Sequence, residues 1–276
     1  MSEPGAAVAA RLAEHLVESR LAGSVATPVK SCLDNSRRMI AGEPDYTFGL
    51  SDWRHATYDD ALAALLGCGV ALVDPDGRAE DPAVTPVVDP SFALAAIHHH
   101  RTVLSQVAVA RGRVLFGTGH AFSLLPHYSG LARALAGAGC TILEPLNGQH
   151  HAVRTPEGDP ASIRYFDGVA SLVSHGALLH THRPDYMEAM LAELGGPGSV
   201  DLVVGDHGFA GAAVERGIQT LSIADVNDPA LPLAQARRRT DGVLVIDDGL
   251  NPVIYEPLTA VMLDGFSVDG TGTKDG

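Results

Sequence analysis

The sequence predicts an α/β protein: a mostly parallel sheet with flanking helices, preceded by a helical N-terminal segment. Two observations carry this. From about residue 91 onward, short apolar runs that read as buried strands alternate with amphipathic helical stretches. Strand, helix, strand in repetition is the pattern of parallel pairing with helices on both faces, a Rossmann-like arrangement. Before residue 91 the apolar residues recur at helical spacing, and no solenoid-type repeat is present. A single α/β domain over 1–265 is expected, with 1–90 as its helical part and 91–265 as its sheet core.

In chain order, Val8, Leu12 and Leu16 share one helical face, a second helix is expected over 30–41 and a third over 58–66. "AGEPDYTFGLSDW" reads as a loop between them, and the Pro- and Asp-rich stretch over 73–90 as a surface connection. The runs "RVLFG", "CTILEP", "GVASLVS", "VDLVVGD", "IQTLSIAD" and "GVLVIDD" read as strands, with helices over 123–136, 184–194 and 208–216. The tail over 266–276 lacks apolar residues and is expected to fray.

Composition bounds the function. At 276 residues with 46% hydrophobic and 19% charged residues, the chain is of ordinary globular make-up. The apolar run from Ala61 to Val73 is broken by Gly67 and Gly69, and the N-terminus lacks the charge order of a signal peptide. A soluble, cytoplasmic protein is expected. Cys32, Cys68 and Cys140 form no CxxC pair, which argues against a disulfide framework or a cysteine zinc site. A net charge of −14 disfavours nucleic acid and anionic membranes, so an anionic substrate needs a local cationic centre.

Ligands of an open parallel sheet gather at the carboxyl ends of its strands. Gly117, Thr118, Gly119 and His120 follow the first strand, and His175, then His180 and His182, follow a later one. Asp206 and His207, then Asp225, Asn227 and Asp228, then Asp247 and Asp248 follow the rest. Single Asp and Asn residues are common there as turn formers and caps, but the set, in a chain with 13 histidines, points to a site.

In "GTGH" the glycines allow close backbone approach and the helix opening suits a phosphate or carboxylate, with His120 as donor or general acid. A plain βα turn is the alternative reading, and Ser123 stands where a dinucleotide motif needs its third glycine. In "HTH", an extended spacing of two puts His180 and His182 on one side, and Arg183 beside Pro184 is a candidate phosphate clamp. Asp206, Asp225, Asn227 and Asp228 offer hard oxygen ligands that suit Mg²⁺ or Mn²⁺, although Asp228 is read first as the cap of the helix that Pro229 opens. His98–His100 reads as structural or solvated, and His150 and His151 sit in a Pro- and Gly-bordered loop. GxSxG, the phosphate-binding GxxxxGK[ST] loop and HExxH are all absent, which leaves direct attack by water as the natural chemistry.

The succession "FGTGH", "HTH" before "PDYMEAML", "DHGFAGAA", "ADVNDPAL" and the late "DD" resembles a family of actinobacterial proteins classed as phosphatases, over about residues 30–262. The resemblance implies phosphate chemistry at the glycines, His120, His180, His182, Asp206, His207, Asp225, Asn227 and Asp228. Through "DNSRRMIAGEPDYTFGL" it also brings Asn35 and Arg37 or Arg38 to the site. Where the family tends to follow its Asp pair with Asn, Gly249 stands here, and Asn251 comes two residues later.

The leading expectation is a phosphatase of a small phosphorylated metabolite, a sugar, cyclitol or nucleoside phosphate of specialised metabolism. It would work with a divalent metal, Mg or Mn, at Asp206 and Asp225, with His207 or His182 activating water and His120 protonating the leaving oxygen. A sugar-phosphate isomerase or lyase and a non-catalytic phosphometabolite-binding protein are the alternatives. Self-association into a homo-oligomer is compatible with the sequence.

Overall fold

A computed structural model of the chain describes residues 3–72, 81 and 83–264. The expected frayed tail and part of the connection over 73–90 lie outside these residues. The N-terminal part holds α1 (Glu3–Glu18), a short β1 (Gly23–Ser24), α2 (Val29–Ile40), α3 (Pro44–Thr47), α4 (Tyr58–Gly67) and the two-residue strands β2 (Val70–Ala71) and β3 (Val87–Val88). The helix α4 opens on a capping box in which Thr57 and Asp60 exchange hydrogen bonds. β1, β3 and β2 form a small antiparallel sheet that the helical reading of this part missed, since two-residue strands carry no periodicity.

α5 (Pro90–Ala110) leads into the main sheet, capped by the Asp89 carboxylate, which accepts from the Ser91 N–H at 2.8 Å. There follow β4 (Arg113–Thr118), α6 (Ala121–Gly137), β5 (Thr141–Ile142), β6 (Val153–Arg154), β7 (Pro160–Phe166), β8 (Val169–Ser174), β9 (Ala177–Leu179) and α7 (Asp185–Glu193). The chain then alternates β10 (Leu202–Asp206), α8 (His207–Glu215), β11 (Thr220–Ala224), α9 (Ala230–Ala236) and β12 (Gly242–Val245), and closes on α10 (Glu256–Leu263).

The sheet runs β12-β11-β10-β4-β8-β7-β6, with β5 beside the start of β4 and β9 beside the end of β8. β12, β11, β10, β4, β5 and β8 are parallel, while β7, β6 and β9 extend the sheet by antiparallel pairing. This mixed α/β architecture, a mostly parallel sheet flanked by helices, is the expected fold class. The antiparallel extension departs from the expected strand-helix alternation, because "SIRYF" and "VASLVS" are joined by a two-residue Asp167-Gly168 turn with φ of 48° and 84°.

Alternation along the strands sorts side chains to two apolar layers. Val114 and Phe116 of β4 with Leu202 and Val204 of β10 face one layer, where Leu104, Leu124 and Leu258 pack. Leu115 and Val203 face the other, against Met187 and Met190 of α7 and Phe209 of α8. Both faces being covered explains the near-continuous apolar runs. Leu12 and Leu16 of α1 are buried, whereas Val8, placed on the same face by spacing, is 43% exposed.

Candidate active site

β4 and β10 are neighbours, yet the chain leaves β4 through α6 toward β5 and β8, and leaves β10 through α8 toward β11. Their carboxyl ends flank the point where strand order reverses, the crevice in which open α/β sheets hold ligands.

Asp206, fully buried, ties the two strand ends together. Its Oδ2 accepts from the Thr118 hydroxyl at 2.6 Å and its Oδ1 from the Gly119 N–H at 2.7 Å, while Thr118 Oγ1 accepts from the His120 N–H at 2.9 Å. The Gly119 and His120 N–H groups are therefore occupied from within, where the glycines had suggested open donors for an anion. Burial alone would raise the Asp206 carboxyl, but His207 and Thr118 hold it below its ordinary value.

His207 opens α8 with φ of 41°, a left-handed conformation that costs a non-glycine residue about 1 to 2 kcal/mol. Its ring is 2% exposed, with Nδ1 3.3 Å from Asp206 Oδ1 and Nε2 3.2 Å from Asp228 Oδ2 and 3.4 Å from Asp248 Oδ2. None of these contacts has hydrogen-bond alignment: His207 Nδ1, Asp228 Oδ2 and Asp248 Oδ2 are buried without a hydrogen-bond partner. Burial disfavours an imidazolium here, but the three carboxylates outweigh it and raise His207 well above its ordinary value.

His120, the residue before α6, presents Nδ1 3.0 Å from Asp248 Oδ1, also without alignment, and its ring stacks on His180 at 4.7 Å. Burial pulls the ring's pKa down, and Asp248 more than compensates. His180 and His182 form a directed chain. A backbone carbonyl only accepts, so the contact of His182 Nδ1 with Asp45 O at 2.9 Å places the proton on Nδ1 and leaves Nε2 to accept from His180 Nε2–H at 3.1 Å. Burial and the neighbouring imidazoles keep both rings neutral, His180 down to about 4.

Two glycines make room for this segment. A Cβ on Gly119 would meet the Thr181 carbonyl oxygen at 2.0 Å, and one on Gly208 the Arg183 carbonyl at 2.3 Å. Thr181 N–H donates to Gly119 O at 3.0 Å across the same contact. Gly119 thus seats the histidine segment against β4. Phe48, with ring centroids 5.4 Å from His182 and 5.3 Å from His207, covers the cluster from the N-terminal part.

The remaining expected residues fall around this centre. Asn35 Nδ2 donates to Asn227 Oδ1 at 2.8 Å, which ties α2 to the same edge. Asp225 Oδ1 accepts from the Val226 N–H at 2.8 Å, and burial together with Asp248, Asp228 and Asp247 raises its carboxyl well above the ordinary value. Asp247 accepts from the Gly249 N–H at 3.1 Å. Asn251 caps a short 3-10 turn through the Val253 N–H, which accounts for its place. Gly117 lies inside the sheet against the Phe209 ring.

Arg38 stays outside the histidine cluster, over the Tyr46 ring at 5.0 Å and donating to its hydroxyl, and Arg37 pairs with Asp34. Arg183 pairs with Asp185 at 2.8 Å. His175 sits exposed in the β8–β9 turn, His150 contacts Arg164, and His98 is exposed while His100 is buried against Gly242 O at 2.8 Å. Beside the cluster opens a cleft of about 460 Å³ whose lining includes Asp45, Tyr46, Glu157, Leu179, His180 and Arg183.

His120, His180 and His207 each offer one ligand atom, all within 4.8 Å of one another. Imidazole nitrogens beside carboxylates suit a first-row transition ion better than the all-oxygen set expected for Mg²⁺. Asp248 is collected from sequence only as one of the strand-end carboxylates, with no role assigned to it, and Phe48 is not singled out, since it reads as an ordinary loop aromatic.

No helix among the described residues is long and apolar enough to cross a membrane. No solved structure matches this chain. Residues 7–268 match the family described as Phosphatase. The chain is 36% identical over 268 residues to Phosphatase SCO2771 of Streptomyces coelicolor, covering 95% of this chain and 98% of that protein. With matches that span nearly its whole length, the chain belongs to this phosphatase family.

Proposed function

We propose that the protein hydrolyses the phosphate monoester of a small polar metabolite, with the help of a divalent transition-metal ion bound among His120, His180 and His207 with Asp228 and Asp248. The observation that carries this reading is the convergence of His120, His207, Asp228 and Asp248, each with a buried atom that finds no hydrogen-bond partner, beside His180 at the strand-order reversal of a phosphatase-family fold. When bound, the cation neutralises phosphoryl charge that the strongly acidic chain otherwise repels.

The protein's residues divide the remaining work. Asp206 fixes the GTGH turn and orients His207. The chain Asp45 carbonyl, His182, His180 holds the His180 ring, as ligating histidines are held by their outer hydrogen bond. The cleft receives the organic part, with Tyr46 and Leu179 as apolar walls and Glu157, Asp45 and Arg183 to meet hydroxyl groups, which suits a sugar, cyclitol or nucleoside. Water attacks phosphorus as the ester P–O bond breaks; the hydroxyl stays on phosphate and the other water proton ends, through solvent, on the leaving oxygen, so that water and monoester give alcohol and phosphate.

The test is phosphate release from a panel of sugar, cyclitol and nucleoside monophosphates by chelator-treated protein, before and after addition of Mn²⁺, Zn²⁺ or Mg²⁺. Release restored by a transition ion and weakly by Mg²⁺ is expected. Release unaffected by the chelator overturns the metal-assisted reading, and no release from any monoester with any ion overturns the monoesterase.

A further inference from the structure

We propose that the site holds two divalent cations side by side, with the Asp248 carboxylate bridging them. This rests on the metal-assisted reading above and goes beyond it in number and arrangement.

The two oxygens of Asp248 face different rings. Oδ1 lies 3.0 Å from His120 Nδ1, and Oδ2 lies 3.4 Å from His207 Nε2. Asp228 Oδ2 approaches the same His207 nitrogen at 3.2 Å. A charged His207 donating to either carboxylate would explain the pair if a donor were aligned, but Asp228 Oδ2 and Asp248 Oδ2 accept no hydrogen bond and His120 Nδ1 makes none. Metal–ligand bonds of about 2.1 Å put adjacent ligands roughly 3.0 to 3.4 Å apart in octahedral or tetrahedral geometry. The unaligned nitrogen–oxygen contacts fall in that range.

The donors sort into two groups that meet at Asp248. One comprises His120 Nδ1 and Asp248 Oδ1, with His180 stacked on the His120 ring at 4.7 Å and farther, at 5.4 Å, from the His207 ring; the other comprises His207 Nε2, Asp228 Oδ2 and Asp248 Oδ2. On a single octahedral ion these atoms and a His180 nitrogen would fill every position and exclude substrate. Two ions sharing Asp248 leave each with open positions, the arrangement by which paired metals clamp the attacking and leaving oxygens of a phosphoryl group. Charge points the same way. Asp206, Asp228 and Asp248 have only histidines as ion-pair partners among the described residues, and Asp225 and Asp247 lie close by.

The experiment is titration of chelator-stripped full-length protein with Mn²⁺ alone, read by calorimetry and native mass spectrometry for stoichiometry and by electron paramagnetic resonance for spin coupling. Two equivalents per chain with an exchange-coupled signal are expected. Asp228→Asn should bind one equivalent, lose the coupling and keep the wild-type far-UV spectrum. One equivalent in the wild type, or two that are magnetically isolated, overturns the bridged pair. With one equivalent, manganese-dependent phosphate release leaves the proposed function standing, whereas no bound Mn²⁺ with chelator-insensitive release overturns both.

Discussion

Two polar assemblies in this molecule, one half-buried and one buried, both gather acidic and basic side chains and differ in how their atoms are satisfied. Around Asp52, Arg239 Nη1 donates to Oδ2 at 2.6 Å and lies 2.9 Å from Glu215 Oε2, which in turn accepts from the Ser51 N–H at 3.0 Å. Arg237 donates to the carbonyls of Asp52 and His55, both at 2.6 Å. In this clamp Asp52 accepts an aligned bond from Arg239 and Glu215 accepts one from the Ser51 N–H, and no side-chain atom of Asp52, Glu215, Arg237 or Arg239 is left buried without a hydrogen-bond partner. Around His207 the groups lie farther apart, at 3.2 to 3.4 Å, and are more deeply buried, and several atoms lack hydrogen-bond partners. A satisfied network stabilises a fold, and an orphaned convergence is a place for a ligand. The same contrast separates the histidines: His100 and His127 are buried and bonded, to Gly242 O at 2.8 Å and to Thr259 Oγ1 at 2.7 Å, whereas His207 is buried and unaligned.

The largest effect that should follow is at His207. His207→Asn keeps a residue tolerant of positive φ and should lower kcat for phosphate release by about 1000-fold or more, while the melting temperature stays near the wild-type value. A variant that retains activity would place His207 with the structural histidines and dissolve the contrast.

Next comes pH. His100, held neutral by burial, has a folded-state pKa near 4, and His127, also buried, near 3, both below the ordinary value of 6.5. Below that value the unfolded chain takes up protons that the fold refuses, so stability is full above pH 6.5 and falls as pH drops toward 4. The loss from His100 alone is on the order of 3 kcal/mol at pH 4. Urea unfolding at a series of pH values checks this, and His100→Gln should flatten the slope.

Gly119→Ala is expected to cost about 100-fold in kcat, because a Cβ there drives back the Thr181 carbonyl and with it the His180 and His182 rings. If activity is unchanged, the seating of that segment on β4 is not what aligns the cluster. Arg239→Met gives the smallest and opposite effect. Leaving Asp52 and Glu215 short of a partner should remove roughly 2 kcal/mol of stability by urea unfolding, with kcat at 25 °C unaltered.

The fold was legible in the sequence where burial on both faces writes itself as apolar runs. "RVLFG", "VDLVVGD", "IQTLSIAD" and "GVLVIDD" became β4, β10, β11 and β12 with ends shifted by a few residues. The antiparallel strands β6, β7 and β9 escaped, since the first and last are only two and three residues long and "PASIRYF" lacks strict alternation. At the site, the strand-end rule collected His120, Asp206, His207, Asp228 and Asp248 before any coordinates, because in a parallel sheet chain order and the carboxyl edge are linked; His180 and His182, also collected, arrive by another route, on the segment after β9, which folds back antiparallel on β8.

Chain order by itself determined which residues stand at that edge and that they are rich in imidazole and carboxylate. Tertiary structure decided their relations. Asp206, expected among the metal ligands, has both oxygens engaged by Thr118 and Gly119. Asp248, 41 residues beyond His207 in sequence, instead faces it and His120 together. Hydrogen-bond direction and the absence of alignment depend on ångström-scale distances between segments remote in the chain. A one-dimensional pattern records periodicity and composition, and those distances appear only when the sheet has brought the segments side by side.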